Sequence, residues 1–213
     1  MKITDSRNID WENVKNLLFD LGGVIVNINY HNTVDAFKEL GIDDFKNHYT
    51  QTTQSGLFIR YETGKMSSEQ LRQELKKSSK VGTTDDQIDI AWCAMLEDTP
   101  GENVELLSQL KEKYNMFLLS NTNEIHIDYY IDKLQKEQNA YLPDLFNKLY
   151  YSHVVGLRKP NNDVFEFVLS DAGIKPEETL YIDDTEMHID TAADMGFQAF
   201  YLRKGLTIHD IFG

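Results

Sequence analysis

Cysteine is almost absent from this chain of 213 residues. Cys93 stands alone, so no internal disulfide can form, and burial must hold the fold. A single cysteine in such a setting reads as a small apolar core residue. Runs of basic residues are missing too: 35 acids against 21 bases leave a formal net charge of -14. That balance argues against nucleic acid and anionic membrane surfaces as partners. An anionic small substrate remains compatible with it, given local positive charge or a metal ion. No apolar run reaches membrane-spanning length, which takes ~20 residues. The opening "MKITDSRNIDWENVK" lacks the apolar stretch of a signal peptide. Repeats and low-complexity tracts are also lacking. The expectation is a soluble, cytoplasmic protein.

What the chain does have is 41% hydrophobic and 26% charged residues. That is enough for one large domain, or for one with a smaller insertion. Five short apolar runs read as buried strands: Leu17–Asp20, Met116–Ser120, Lys148–Ser152, Thr179–Asp183 and Gln198–Leu202. Helix patterns sit between the later runs. "TPGENVELLSQLKEKYN" offers Thr99 as N-cap, Pro100 at the first helical position and Glu102 to close a capping box. Two further patterns end on Gly173 and Gly196, as helices that finish in a left-handed turn do. Alternating strands and helices predict an α/β fold, a Rossmann-like parallel sheet with helices on both faces. Between the first run and the second lies far more chain than one crossover needs. Its content is helical. "NTVDAFKELG" is one helix, Ser67 with Gln70 and Thr84 with Gln87 form capping boxes for two more, and Met66 and Leu71 are placed as a hydrophobic staple. The predicted organisation is a core of residues 1–29 and 99–213, with residues 30–98 as an all-helical cap. The cap leaves the sheet at the carboxyl end of the first strand, where open α/β sheets bind ligands.

Polar residues gather where four strands stop. Asp20 ends the first, and Ser120, Asn121 and Thr122 end the second. Lys159 follows the third in "GLRKP", and Asp183 and Asp184 end the fourth. Taken singly, each has a plain structural role as a turn, a cap or a solvated loop residue. Together they are chemically complementary. Asp20 suits a nucleophile or a metal ligand, and Asp183 and Asp184 add the hard oxygen ligands that Mg²⁺ prefers. Lys159 neutralises a bound dianion, and the Ser120 hydroxyl with the following backbone N–H groups holds its oxygens. That set fits phosphoryl transfer, where catalysis is mostly positioning and charge stabilisation.

Four motifs in order, "LLFDLGGVIV", "FLLSNTN", "GLRKP" and "LYIDDTEMHIDTAADMG", make the sequence similar to the haloacid dehalogenase superfamily of hydrolases across nearly its whole length. The helical insertion is placed like the family's C1 cap. The closest resemblance is to the subgroup of sugar-1-phosphate phosphatases of the glucose-1-phosphatase type. The resemblance implies that Asp20 is the nucleophile of an aspartyl-phosphate mechanism. It implies a Mg²⁺ site made of Asp20, the Gly22 backbone carbonyl, Asp184 and Asp183, the last direct or through water. Ser120 and the Asn121 amide would hold the transferring phosphoryl group, and Lys159 would bridge it to Asp20. The expected partner is a small-molecule phosphate ester.

One position departs from the family pattern. Phosphatases of the family usually carry a second aspartate two residues after the nucleophile, as general acid and base; here Gly22 stands. Such help is worth ~10²–10⁴-fold, so a preference for activated leaving groups, or slow turnover, is expected. His126, Tyr61 and Glu62 are candidates for a substitute proton donor, and Arg158 for added positive potential. Two other readings compete: a 2-haloacid dehalogenase, which also lacks the second aspartate, and a phosphate-binding regulatory protein with weakened catalysis.

Overall fold

A computed structural model describes residues 1–45 and 56–213; the part of the predicted cap at 46–55 lies outside the described residues. The described residues form a parallel sheet of β1 (Lys2–Ile3), β2 (Asn16–Phe19), β3 (Asn115–Ser120), β4 (Lys148–Tyr151), β5 (Thr179–Asp183) and β6 (Gln198–Tyr201). Their order across the sheet is β1-β6-β5-β2-β3-β4. From β2 the chain moves outward through β3 and β4, then returns to the other side of β2 as β5. The reversal falls between β2 and β5, and such a switch point leaves a crevice at the carboxyl ends of the strands.

Burial on both faces explains why the strands read as continuous apolar runs. Leu17, Phe19, Met116, Leu118, Leu180 and Ile182 point into one cluster. Leu18, Phe117, Leu119 and Tyr181 point into the other. The first cluster is completed by Leu107 and Leu110 of α5 (Gly101–Lys111) and by Ile127, Tyr130 and Leu134 of α6 (Glu124–Gln138). The second is completed by Val164, Phe165 and Val168 of α8 (Asn162–Ala172) and by Ile189 and Ala192 of α9 (Glu186–Asp194). A short helix, α7 (Ser152–Val155), follows β4 directly.

Between β2 and α5 lie α1 (Tyr30–Glu39), α2 (Gly56–Glu62), α3 (Ser68–Ser78) and α4 (Asp85–Cys93). They bury their apolar faces in a separate cluster that includes Phe37, Phe58, Leu71, Trp92 and the lone Cys93. Phe58 and Trp92 stack with ring centroids 5.0 Å apart. Both predicted capping boxes are formed, Ser67 with Gln70 and Thr84 with Gln87. Met66 and Leu71 both lie in this cluster. Gly173 takes the left-handed conformation at the end of α8, and Gly196 follows α9 with φ +95°.

Two expectations are corrected. The edge strand β1 has no counterpart among the predicted runs: at two residues it is too short to show a period, and pairing with Ala199 and Phe200 of β6 creates it. The capping box at Thr99 does not form. The helix begins one residue later with Pro100 at its cap, while the buried Thr99 hydroxyl pairs with the Tyr130 hydroxyl at 3.1 Å. No helix among the described residues is long and apolar enough to cross a membrane.

Candidate active site

The site begins with strand register. Phe19 stands opposite Leu118 on one side and Ile182 on the other, and the Asp20 N–H donates to the Ile182 carbonyl at 2.9 Å. Asp20 therefore leaves the centre of the sheet level with the ends of its neighbours. The chain then folds back tightly: the Ile25 and Val26 N–H groups both donate to the Leu21 carbonyl, and Gly23 donates to Val26. The two glycines of this turn differ. Gly23 has φ +76°, and a Cβ there would lie 2.3 Å from a carboxylate oxygen of Asp184. Only glycine lets the turn approach Asp184 so closely. Gly22 has no such requirement. Its missing side chain would meet only the flexible end of Ile28, with Cγ1 at 3.1 Å. The space beside Asp20 is thus shared with an apolar residue.

Asp20, Asp183 and Asp184 each place a carboxylate oxygen within 4.8 Å of the others. Lys159, fully buried, lies between two of them, 2.9 Å from Asp20 and 2.7 Å from Asp183. Asn121 holds it there. The Asn121 side chain accepts from the Lys159 N–H and donates to the Lys159 carbonyl, both at 2.9 Å. That side chain is committed, so any contact with a phosphoryl group falls to the Asn121 backbone N–H. The N-cap of α6 is Asn123, two residues on.

The two acids at the end of β5 have different surroundings. Asp183 is fully buried and ringed by donors: Lys159, the Tyr181 hydroxyl, the Thr185 N–H at 2.7 Å and the His188 ring. Asp184 is half-buried, accepts from the Thr185 hydroxyl at 3.2 Å and faces the cavity. Electrostatics follow this geometry. Burial pushes the Asp20 carboxyl up to about 7, with Lys159 opposing the rise and Asp183 and Asp184 adding to it. Burial also disfavours the charged forms of Asp183 and Lys159. Lys159 and then His188 outweigh it at Asp183, which stays well below the usual carboxylate range. Asp183 and Asp20 outweigh it at Lys159, which stays above the ordinary lysine value.

A cavity of about 90 Å³ opens over these residues. Its polar wall includes Asp20, Ser120, Asn121, Asp184, Glu62 and Arg158; its apolar wall includes Val26, Ile28, Met95 and Leu96. The cavity is far smaller than the ~300–1,000 Å³ of sites for drug-sized ligands. Sequence reasoning missed two of its polar residues, along with its apolar wall. Tyr30, the first residue of α1, is a lone aromatic outside any pattern. His188 follows Asp183 by five residues, one turn into α9, and that spacing is the signal that was available.

Of the substitute donors, His126 lines the cavity but is locked neutral. Its Nε2–H donates to the Trp92 carbonyl at 3.0 Å, its Nδ1 accepts from Asn123, and burial pushes its pKa down to about 4. Tyr61 turns away from the cavity toward Ser68, at 2.8 Å, and accepts from the Ile125 N–H. Glu62 does reach the cavity and pairs with Arg158 at 3.2 Å.

Comparisons with known proteins agree with this geometry. Residues 14–196 match the family described as haloacid dehalogenase-like hydrolase. The chain is 31% identical over 192 residues to D-ribitol-5-phosphate phosphatase of Bacteroides thetaiotaomicron, covering 90% of this chain and 93% of that protein. A HAD family enzyme from the same organism, solved in complex with magnesium and inorganic phosphate, superposes with a TM-score of 0.83 at 33% identity, over 90% of this chain and 96% of the other. A predicted HAD-like family hydrolase from Porphyromonas gingivalis gives 0.81 at 34% identity, over 89% and 91%.

Proposed function

This chain belongs to the haloacid dehalogenase-like hydrolase family, and on that basis we propose that it is a Mg²⁺-dependent phosphomonoesterase acting on a small sugar or polyol phosphate. The observation that carries the reading is the buried Asp20–Lys159–Asp183 chain of charges beside Asp184, at the switch point and open to one small cavity. The substrate class is supported by the D-ribitol-5-phosphate named for the relative.

The donor set fits a hard divalent cation. Three carboxylates converge with one ammonium among them, and the half-buried Asp184 faces the cavity. Asp20, Asp184 and the Gly22 carbonyl would hold the ion. Asp183, saturated by four protein donors, serves mainly to fix Lys159 and belongs to the metal site through water at most. When bound, Mg²⁺ supplies charge neutralisation for the phosphoryl oxygens.

The protein's own groups do the rest. An Asp20 carboxylate oxygen attacks phosphorus in line, the new O–P bond forms, and the bond to the leaving oxygen breaks with its electron pair. Lys159 opposes the rise that burial imposes on the Asp20 carboxyl and orients it. Ser120 and the Asn121 backbone N–H hold the transferring group. Water then attacks the aspartyl-phosphate and returns Asp20. Helices α1–α4, with the chain of residues 30–98, act as a cap that excludes bulk water from the core of residues 1–29 and 99–213. The acidic composition and the lone buried cysteine suit the cytoplasm.

The test is release of inorganic phosphate from ribitol 5-phosphate and phenyl phosphate, with Mg²⁺ and with excess chelator. Turnover that needs Mg²⁺ and vanishes in Asp20→Asn is expected. Turnover that survives either change overturns the reading.

A further inference from the structure

The cavity contains more polar equipment than phosphoryl transfer uses. Glu62 closes α2 and is almost wholly buried; Arg158 stands on the loop directly before Lys159. Their side chains meet at 3.2 Å, bridging the helical insertion and the sheet, and both line the cavity. A buried ion pair contributes little net stability, because desolvation offsets the attraction. This pair is also incompletely satisfied: the Arg158 Nε–H is buried without an acceptor among the described residues. Buried donors rarely stay unpaired unless a ligand or water completes them.

The backbone reinforces the placement. Just after α2, Gly64 takes φ +67°, and its Cα lies so close to α7 that a Cβ would come within 2.2 Å of the His153 carbonyl. The end of α2 is thereby pressed against the element that leads into the Arg158 loop, and Glu62 is held at the cavity. Both side chains line the same cavity as Asp20, Ser120 and Asn121, so the pair is placed beside the part of a substrate next to the phosphoryl group.

We propose that Glu62 and Arg158 form a hydroxyl-reading subsite that selects leaving groups bearing hydroxyls near the ester oxygen. An alcohol needs an acceptor for its proton and a donor for its oxygen. The carboxylate supplies the first and the guanidinium Nε–H the second. The apolar wall of Val26, Ile28, Met95 and Leu96 offers neither. Paired with the guanidinium, the Glu62 carboxylate is placed to act as the acceptor.

This inference rests on the phosphomonoesterase reading, and the experiment separates the two. For the full-length protein with Mg²⁺, kcat/KM is measured for ribitol 5-phosphate and for phenyl phosphate, which carries no hydroxyl. The readout is their ratio, which does not depend on the fraction of folded enzyme. Glu62→Gln and Arg158→Lys are each expected to lower the ratio about 10–100-fold, the worth of a charge-assisted hydrogen bond, and the double variant to fall by less than the product. Arg158→Lys keeps the positive charge but replaces the guanidinium fork, Nε–H included, by a single ammonium, so it separates directed hydrogen bonding from charge. A ratio preserved within about twofold in both variants overturns the subsite, whatever happens to the absolute rates. Failure of the wild-type protein to hydrolyse either ester overturns the hydrolase reading and the subsite with it.

Discussion

Replacing Gly22 with aspartate is the sharpest perturbation the site allows. The backbone there is not left-handed, so an L side chain fits its conformation, and the nearest obstacle is the end of Ile28 at 3.1 Å from the new Cβ. Moving Ile28 off its rotamer costs about 0.5–1.5 kcal/mol. A general acid restored beside Asp20 is worth ~10²–10⁴-fold, or about 3–5 kcal/mol of barrier. The gain therefore exceeds the strain by a wide margin. It should appear where the leaving oxygen is basic: rates on ribitol 5-phosphate rise, while phenyl phosphate, whose leaving group needs little help, changes far less. The assay is kcat with Mg²⁺ on a series of alkyl and aryl phosphates, plotted against the pKa of the leaving alcohol. Wild type should show a steep negative slope and Gly22→Asp a shallower one. Equal slopes would mean that another group already delivers the proton, and would refute the reasoning. Gly23 is the control: its φ of +76° and its 2.3 Å approach to Asp184 predict that Gly23→Asp disrupts the site instead.

Three further outcomes follow from the same geometry. Lys159→Met leaves Asp20 and Asp183 buried without their cation and should cost about 3–5 kcal/mol in urea denaturation. A loss below about 1 kcal/mol would contradict its place in the buried chain of charges. Asp184→Asn should weaken Mg²⁺ binding tenfold or more in titration calorimetry while leaving the fold intact. Asp183→Asn should instead lower thermal stability, through the donors it strands; the reverse pattern would exchange their roles. For His126, burial puts the folded pKa at about 4, below the unfolded value of about 6.5. The unfolded chain thus takes up a proton that the folded chain refuses. This contribution is complete above pH 6.5 and is lost as pH falls toward 4, by about 3 kcal/mol in all. Comparison of His126→Gln with wild type at pH 7 and pH 4.5 measures it, and parallel losses in the two proteins would refute it.

The sheet was legible because both its faces are buried, so that β2, β3 and β5 read as apolar runs and the first polar residue after each run marks the ligand edge. Asp20, Ser120, Asp183 and Asp184 were found that way, and Lys159 by its place a few residues after the third run. Physical surroundings were not legible. Nothing in "DD" tells that Asp183 collects four donors while Asp184 faces the cavity: Lys159 comes from a distant loop, and only the folded strand and turn aim Tyr181, Thr185 and His188 at Asp183. Nor does "LGG" tell that one glycine is demanded by the approach of Asp184 and the other is not. Thr99 failed as a cap because Tyr130, thirty-one residues away, takes its hydroxyl. In each case local pattern found the position and a distant partner set its role.

Charge balance leads to a last expectation, about binding rather than turnover. Around the cavity floor, Asp20, Asp183 and Asp184 face the single ammonium of Lys159. Three carboxylates against one cation leave the floor negative. The Arg158–Glu62 pair adds no net charge. A phosphate dianion entering this small, partly desolvated space meets repulsion that protein donors alone do not offset. A divalent cation cancels the excess, so metal and phosphate should bind as a linked pair. In thermal denaturation, phosphate alone should give no stabilisation, and Mg²⁺ alone a modest one. Both together should give more than the sum: one ligand at a hundredfold above its dissociation constant contributes about 2.7 kcal/mol, so the linked pair at that level should exceed about 5 kcal/mol. The Asp20→Asn variant, which removes one negative charge but keeps the shape, should bind phosphate with less dependence on Mg²⁺ than wild type. Equal stabilisation by phosphate with and without chelator would show that Lys159 and the backbone N–H groups suffice, and the charge argument would fall.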